Sequence, residues 1–373
     1  MSQKIISLVS NNIATDQRLI KVGTSLKNNG YDFLLIGTQH RGTPSVAHIP
    51  FKIKRVSIFF KRNIFFYAEL QFRLLFQLLI EDKKNSILLA NDLDTLLPAY
   101  VVSKMFKIPL VLDSHEIFSE LPTLKPGSIQ KKVWCFLEKK LIPQVDKMYT
   151  VSPSYALFFK NKYGKEAAVV SNFPVLKNNL SQQADLKIAI DKKTKYVLIY
   201  QGAINESRGI DKMILAMQYL DDTALWIIGD GPLKKSYQKL AQKENLLAKV
   251  QFLGRINPNE LKAITPLADL GLSLEEDNGL SYKYALPNKV FDYVHAGIPV
   301  LGSSDLPEVK NIINKYKIGD VIKSHDPIDI AKKIQGLLKT DKSIFKSGLS
   351  EAQKDLNWEN HESILLDTFS VFK

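Results

Sequence analysis

A short apolar run followed by an amphipathic helical stretch recurs along this chain, and after a polar gap near the middle the series begins again. Residues 4–9 are β-rich, 17–28 carry helical spacing through Leu19, Val22 and Leu26 and stop at Gly30, and 31–36 is again strand-like. Apolar runs at 87–90, 110–113, 147–151 and 168–171 continue the series, with a helical stretch at 95–106 between the first two. Pro109 stands directly ahead of one run, where it costs no ladder bond. Alternation of this kind specifies a parallel sheet covered by helices on both faces.

The stretch from 172 to 195 is polar and irregular, and residues 179–194 read as a linker. Beyond it, 196–201 is a strand and 210–220 a helix with Ile210, Met213, Ile214, Met217 and Leu220 on one face. Strands follow at 224–229, 250–253, 270–274, 298–301 and 320–322. The expected architecture is therefore α/β, with two doubly wound, Rossmann-like domains at 1–178 and 195–355 facing across a cleft. A length of 373 residues suits two domains. In such sheets ligands bind beyond the carboxyl ends of the strands.

Composition narrows the chemistry. A single cysteine, Cys135, excludes a disulfide framework and a Cys-based zinc site. The six histidines (His40, His48, His115, His295, His325 and His361) include no pair at helical metal-site spacing. No metal is expected. The first apolar run is too short for a signal peptide, and the best spanning candidate, 64–80, is interrupted by Glu69 and Arg73. The expected location is cytoplasmic.

The most informative segment is 281–300. Pro287 suits a first helical turn, so a helix is expected to begin there, with free N–H groups and a positive dipole end that favour an anion. Lys289 adds a full charge, and Asp292, four residues after Asn288, offers a carboxylate to a pair of hydroxyls. A phosphate at the helix start and a diol one turn on match a nucleotide sugar; an ordinary capped surface helix has the same residues. In the segment 202–210, Gly202 lets backbone approach a ligand and Arg208 stands where a helix begins, with a planar fork suited to a diphosphate. A solvated arginine in a turn is the plain alternative. Gly229-Asp230-Gly231-Pro232 is a similar tight turn, but Lys234 occupies the third glycine of a dinucleotide fingerprint, which disfavours NAD.

In the first half, Asp113-Ser114-His115-Glu116 ends a strand, which brings His115 to the ligand side next to two carboxylates. Asn91-Asp92-Leu93-Asp94 also follows a strand; an Asp-x-Asp triplet can hold a divalent ion, though such triplets are common by chance. The net charge of +13 is spread widely and no nucleic-acid recognition motif accompanies it, so nucleic acid is not an expected partner. The segment 51–85 holds eight Lys or Arg, three acidic residues and eight aromatics, with Lys52, Lys54, Arg55, Lys61 and Arg62 punctuating Phe51, Phe59, Phe60, Phe65 and Phe66. This pattern suits peripheral contact with an anionic membrane, or a core helix with a solvated basic face.

Taken together, these segments resemble the GT-B glycosyltransferases, specifically the large retaining group that includes many bacterial polysaccharide and lipopolysaccharide transferases (family 4, or group 1). The likeness runs through Asp16-Gln17-Arg18, Asn91 to Thr95, Asp113 to Glu116, Val151-Ser152, Asn172-Phe173-Pro174, Gly202 to Gly209, Gly229 to Pro232, Phe252-Leu253-Gly254 and Leu286 to Tyr293. Asn357-Trp358-Glu359 fits where the family's last helix, here 356–373, crosses back to the first domain. The resemblance implies a nucleotide-diphosphate sugar as co-substrate, no cofactor, and retaining transfer of a hexosyl group to a glycan or lipid-linked acceptor. Asp292 would hold the donor ribose. Arg208 and Lys289, with the backbone near Pro287 and Asn288, would hold the diphosphate. His115 would contact the transferred sugar, while Asp16, Arg18 and Glu116 would lie on the acceptor side.

Three departures stand out. The family often has two glutamates eight residues apart, and here Tyr284 and Asp292 occupy those positions. Ala203 replaces one of a common cation pair, and the loop 10–18 lacks the glycines many relatives use. Two other readings follow: a nucleotide-sugar 2-epimerase of the same architecture, and a non-catalytic membrane-associated subunit of a glycan assembly complex.

Overall fold

The structure is a computed structural model that describes residues 2–13, 16–39, 46, 49–60, 63–176 and 194–372. His40, His48, Lys61, Arg62 and linker positions 179–193 lie outside the described residues. The chain divides into two units, one comprising Met1–Asn172 and His361–Lys373, the other Phe173–Asn360.

The first unit contains strands β1 (Lys4–Asn12), β2 (Asp32–Gln39), β3 (Lys52–Ser57), β4 (Ser86–Asn91), β5 (Leu110–Ser114), β6 (Lys147–Thr150) and β7 (Ala168–Val169). Its helices are α1 (Gln17–Asn28), α2 (Asn63–Ile80), α3 (Leu93–Phe106), α4 (Ile129–Leu141) and α5 (Pro153–Tyr163). The strands form one seven-stranded sheet in the order β3-β2-β1-β4-β5-β6-β7, and the neighbours pair in parallel. The order reverses between β1 and β4, which opens a crevice beyond their carboxyl ends.

The second unit contains β8 (Tyr196–Gln201), β9 (Thr223–Ile228), β10 (Val250–Gly254), β11 (Leu270–Ser273), β12 (Val300–Ser303) and β13 (Gly319–Ile322). Helices α6 (Ile210–Ala216), α7 (Lys234–Lys243), α8 (Pro258–Ile264), α9 (Leu280–Lys283), α10 (Asn288–His295), α11 (Pro307–Tyr316), α12 (Pro327–Lys339), α13 (Ser343–Asp355) and α14 (Trp358–Ser370) complete the chain. Its sheet runs β10-β9-β8-β11-β12-β13, again parallel, with the switch between β8 and β11. Alternation along β8 shows why both faces are covered. Val197 and Ile199 enter one apolar cluster with Trp226, Val290 and Phe291. Leu198 and Tyr200 enter the other with Ile210, Met213 and Ile227.

Sequence and structure part company at a few elements. β3 was not expected, because Lys52, Lys54 and Arg55 mask it; it is an edge strand with alternating exposure, where charge is tolerated. The helix expected from Pro287 starts one residue later: Pro287 is extended at ψ 131° and serves as the N-cap of α10. The following strand begins at Val300 rather than 298, after Gly297 adopts a φ of +72°. The sequence puts unit boundaries at 178 and 356, whereas contacts divide the chain at 172 and 360. Phe173 packs edge-on to Phe291 at 4.5 Å, and the Trp358 amide donates to the Pro174 carbonyl, so both belong with the second unit. Further on, α14 carries Phe369 against Tyr31 and Tyr149 of the first unit.

Candidate active site

In the second unit the site forms where β8 and β11 end. The turn after β8 begins at Gly202 and passes against the turn after β9: a side chain at Gly229 (φ +144°) would lie 1.8 Å from the Gly202 carbonyl oxygen. Gly209 (φ +68°) lies equally close to the Leu274 carbonyl, at 2.1 Å from where its Cβ would be, and leads into α6. Only glycine permits these approaches. They fix Arg208 beside the end of β11.

Glu275, two residues past β11, is the centre of the cluster. Its carboxylate accepts a hydrogen bond from the Lys289 ammonium and one from Ser273 Oγ at 2.7 Å, and it lies 3.8 Å from Arg208 Nη1. Burial would raise the Glu275 carboxyl, but Lys289 and Arg208 hold it below its ordinary range. Burial in turn depresses the Lys289 ammonium, with Glu275 opposing. Lys289 sits 4.3 Å over the Tyr200 ring and Arg208 5.1 Å from that of Tyr282. Arg208 Nε is buried without a hydrogen-bond partner. A planar donor left open in this way, beside a second cation, suits an oxyanion ligand.

Asp292 is exposed one turn along α10 and accepts from Gln201 Nε2 at 2.7 Å, while Gln201 Oε1 accepts from Thr265. The structure thus joins Gly202, Arg208, Lys289 and Asp292 around one strand-end crevice, with Pro287 and Asn288 at the start of α10. Glu275, Tyr200, Gln201 and Tyr282 were not anticipated. Glu275 directly follows the apolar run 270–274, so the strand-end rule alone would have pointed to it.

The first unit holds a separate cluster at the ends of β4 and β5. Arg18 donates from Nη2 and Nε to the two oxygens of Asp113, at 2.7 and 3.0 Å, and from Nη1 to the Val170 carbonyl. It is only 4% exposed, and these bonds hold it inside the first unit. His115 lies with Nε2 2.8 Å from Asp113 and Nδ1 3.3 Å from Asp92. Burial would depress the imidazole, but Asp113 and Asp92 outweigh it and hold it up at about 9. Asp113 is itself held at about 2, because Arg18 and His115 overcome its burial. Asp16 is the N-cap of α1, accepting from the amides of Arg18 and Leu19. Glu116 is exposed.

Asp92 accepts from the amides of His115 and Glu116, and Asp94 accepts from Ser10 Oγ. Burial raises Asp94 to about 7, and its Oδ1 has no hydrogen-bond partner. Among the described residues no group of three or more His, Cys, Asp or Glu is placed to hold a metal ion.

Residues 181–354 match the family described as glycosyl transferases group 1. The whole chain shares its fold with GT-B glycosyltransferases. Sucrose-phosphate synthase from Thermosynechococcus elongatus superposes with a TM-score of 0.79 at 16% identity, over 99% of this chain and 98% of the other. Anabaena HepE in complex with UDP and glucose gives 0.77 at 14%, over 99% of each chain. WaaG, a glycosyltransferase involved in lipopolysaccharide biosynthesis, gives 0.70 at 14%, also over 99% of each. No curated protein sequence matches significantly. The chain thus has the GT-B fold, and its second half, residues 181–354, is similar to the group 1 glycosyltransferases.

Proposed function

We propose that this chain transfers a hexosyl group, with retention, from a nucleotide-diphosphate sugar to a hydroxyl of a glycan or lipid-linked acceptor in bacterial-type polysaccharide or glycoconjugate synthesis, on the cytoplasmic side. The observation that carries this reading is the convergence of Arg208 and Lys289 on one carboxylate at the β8–β11 switch point. Two cations against one anion leave a positive centre, and the diphosphate would displace Glu275 as their counter-charge. Asp292 lies one turn further along α10, in reach of ribose hydroxyls.

In the transfer, the bond between the anomeric carbon and the diphosphate oxygen breaks and a bond to the acceptor oxygen forms. The acceptor's proton passes to the departing diphosphate on the same face. Arg208, Lys289 and the amides opening α10 stabilise the charge that builds on that leaving group, so no metal or other cofactor is required. His115, held between Asp113 and Asp92, contacts the transferred sugar, with Asp16 and Glu116 toward the acceptor. Arg18 holds Asp113 in place beneath it.

The test is a melting-temperature screen with UDP-, GDP- and dTDP-sugars in EDTA, followed by turnover assays with the donor found. One donor should stabilise the protein, and Arg208→Ala and Lys289→Ala should each weaken that shift and slow turnover at least tenfold. Full donor binding in both variants would overturn the assignment. An altered sugar nucleotide formed without acceptor would identify the epimerase instead.

A further inference from the structure

We propose that the edge strand β10 and the facing side of α7 take up an acidic, extended peptide of a partner protein, which joins the second sheet as a further strand. β10 has one neighbour, β9, and its sequence Val250-Gln251-Phe252-Leu253-Gly254 carries neither charge nor proline. An edge of this kind invites pairing with another chain, and proteins normally blunt it. The other sheet edges are blunted. β3 carries Lys52, Lys54 and Arg55, and β7 is two residues long. At β13 the outward amide of Val321 is already taken by the Asp320 carboxylate at 2.8 Å.

The main chain of β10 is open where those edges are closed. The Leu225 amide donates to the Lys249 carbonyl, and in a parallel ladder the bonds to one neighbour use alternate residues. The main-chain groups of Val250 and Phe252 therefore face away from β9. The Val250 amide is held by the Leu246 carbonyl at 2.9 Å. The Phe252 amide and the carbonyls of Val250 and Phe252 meet no partner among the described residues. One donor between two acceptors, spaced as in a strand, is the pattern that the edge of another peptide strand completes.

A groove of about 440 Å³ runs beside this edge, between β10 and α7. Val250, Phe252 and the exposed Leu247 line one side of it. The other side is a single stripe of α7, made of Lys235, Gln238, Lys239 and Gln242. No acid lines the groove. Glu244, just past α7, is engaged by Gln218 Nε2 at 2.8 Å and by Lys243 at 3.8 Å. Lys249 turns its ammonium inward to the Met217 and Leu220 carbonyls, which leaves the exposed Lys235 and Lys239 as the charge along the groove.

Charge and main-chain pattern together select the occupant. Successive side chains of an added strand alternate between the two faces of the sheet. Those on the α7 side pass Lys235 and Lys239, and carboxylates there pair with both ammonium groups. Those on the opposite side meet Leu253, half-buried against the other apolar cluster, which suits a β-branched residue. A second copy of this chain fits worse. Its β10 comes with the same lysines, so two copies paired about an axis normal to the sheet set like charges together. None of Arg208, Lys289 and Asp292 lines the groove, so its occupancy does not depend on the donor site.

The test is fluorescence anisotropy of the full chain with a labelled peptide of about six residues that alternates glutamate with valine. Binding is expected, and replacing the glutamates by lysine should abolish it. Lys235→Ala with Lys239→Ala should weaken it about tenfold, from the loss of two exposed ion pairs. Both side chains are exposed, so this variant should keep the wild-type melting temperature. Methylating alternate peptide nitrogens probes the main-chain pairing. On the edge that faces β10 it should cost about tenfold or more, and on the other edge it should cost little. Absence of binding, equal binding by the lysine peptide, or equal effects of the two methylation patterns overturns the proposal. So does unchanged binding by the double alanine variant, or a dimer in sedimentation velocity that the peptide dissociates.

Discussion

Glu275→Gln is the sharpest probe of the donor site. The side chains of Glu275 and Lys289 are 2% and 7% exposed, and that of Arg208 25%. Glutamine keeps the shape and an oxygen for Lys289 but removes the charge, leaving two cations without their buried anion. Removing one partner of a buried pair costs roughly 3–5 kcal/mol. Here the lower figure applies, because Arg208 is partly solvated. A loss of about 3 kcal/mol in a unit this size lowers the melting temperature by about 6–12 °C. Nucleotide binding should move the other way. A diphosphate competes with Glu275 for the Lys289 ammonium in the wild type and has no such rival in the variant. Tighter binding, about tenfold or 1.4 kcal/mol, and a larger ligand-induced melting shift are expected. Calorimetric melting with and without UDP measures both. Lys289→Ala should lower stability too, but shrink the UDP shift. A Glu275→Gln variant that melts like the wild type, or that loses its UDP shift, would refute the idea that Glu275 occupies the phosphate's place.

Two further outcomes follow from the same reasoning. His115 has its folded pKa raised from 6.5 to about 9, so the stability it contributes is complete below pH 6.5 and lost as pH rises through about 9. The loss amounts to at most about 3 kcal/mol; urea unfolding followed between neutral pH and pH 9 should show it, and an unchanged slope in His115→Gln would contradict the pairing. Gly229→Ala, whose methyl would collide with the Gly202 carbonyl, should cost more than about 3 kcal/mol and cut the yield of folded protein; a wild-type melting temperature would refute the close approach of the two turns.

The sequence alone was enough for the two parallel sheets, because buried parallel strands must be apolar on both faces and their connecting helices must show a stripe. Lys289 and Asp292 on one helix, and Arg208 after a strand, could be singled out as local features, while only the family resemblance joined them as a group. Partnership was not legible. Nothing local in the sequence told that Arg18 donates to Asp113, 95 residues away. Glu275 and Lys289 are 14 residues apart, with α9 between, and only the folded turns bring them together. The same holds for Phe65, Phe72 and Phe76, the exposed aromatics of α2, which helical spacing cannot assign to a solvent face when the opposite face is leucine. Sequence periodicity determines which residues share a side; the tertiary structure decides which side finds a core and which charge finds a counter-charge, because both depend on distances between segments remote along the chain.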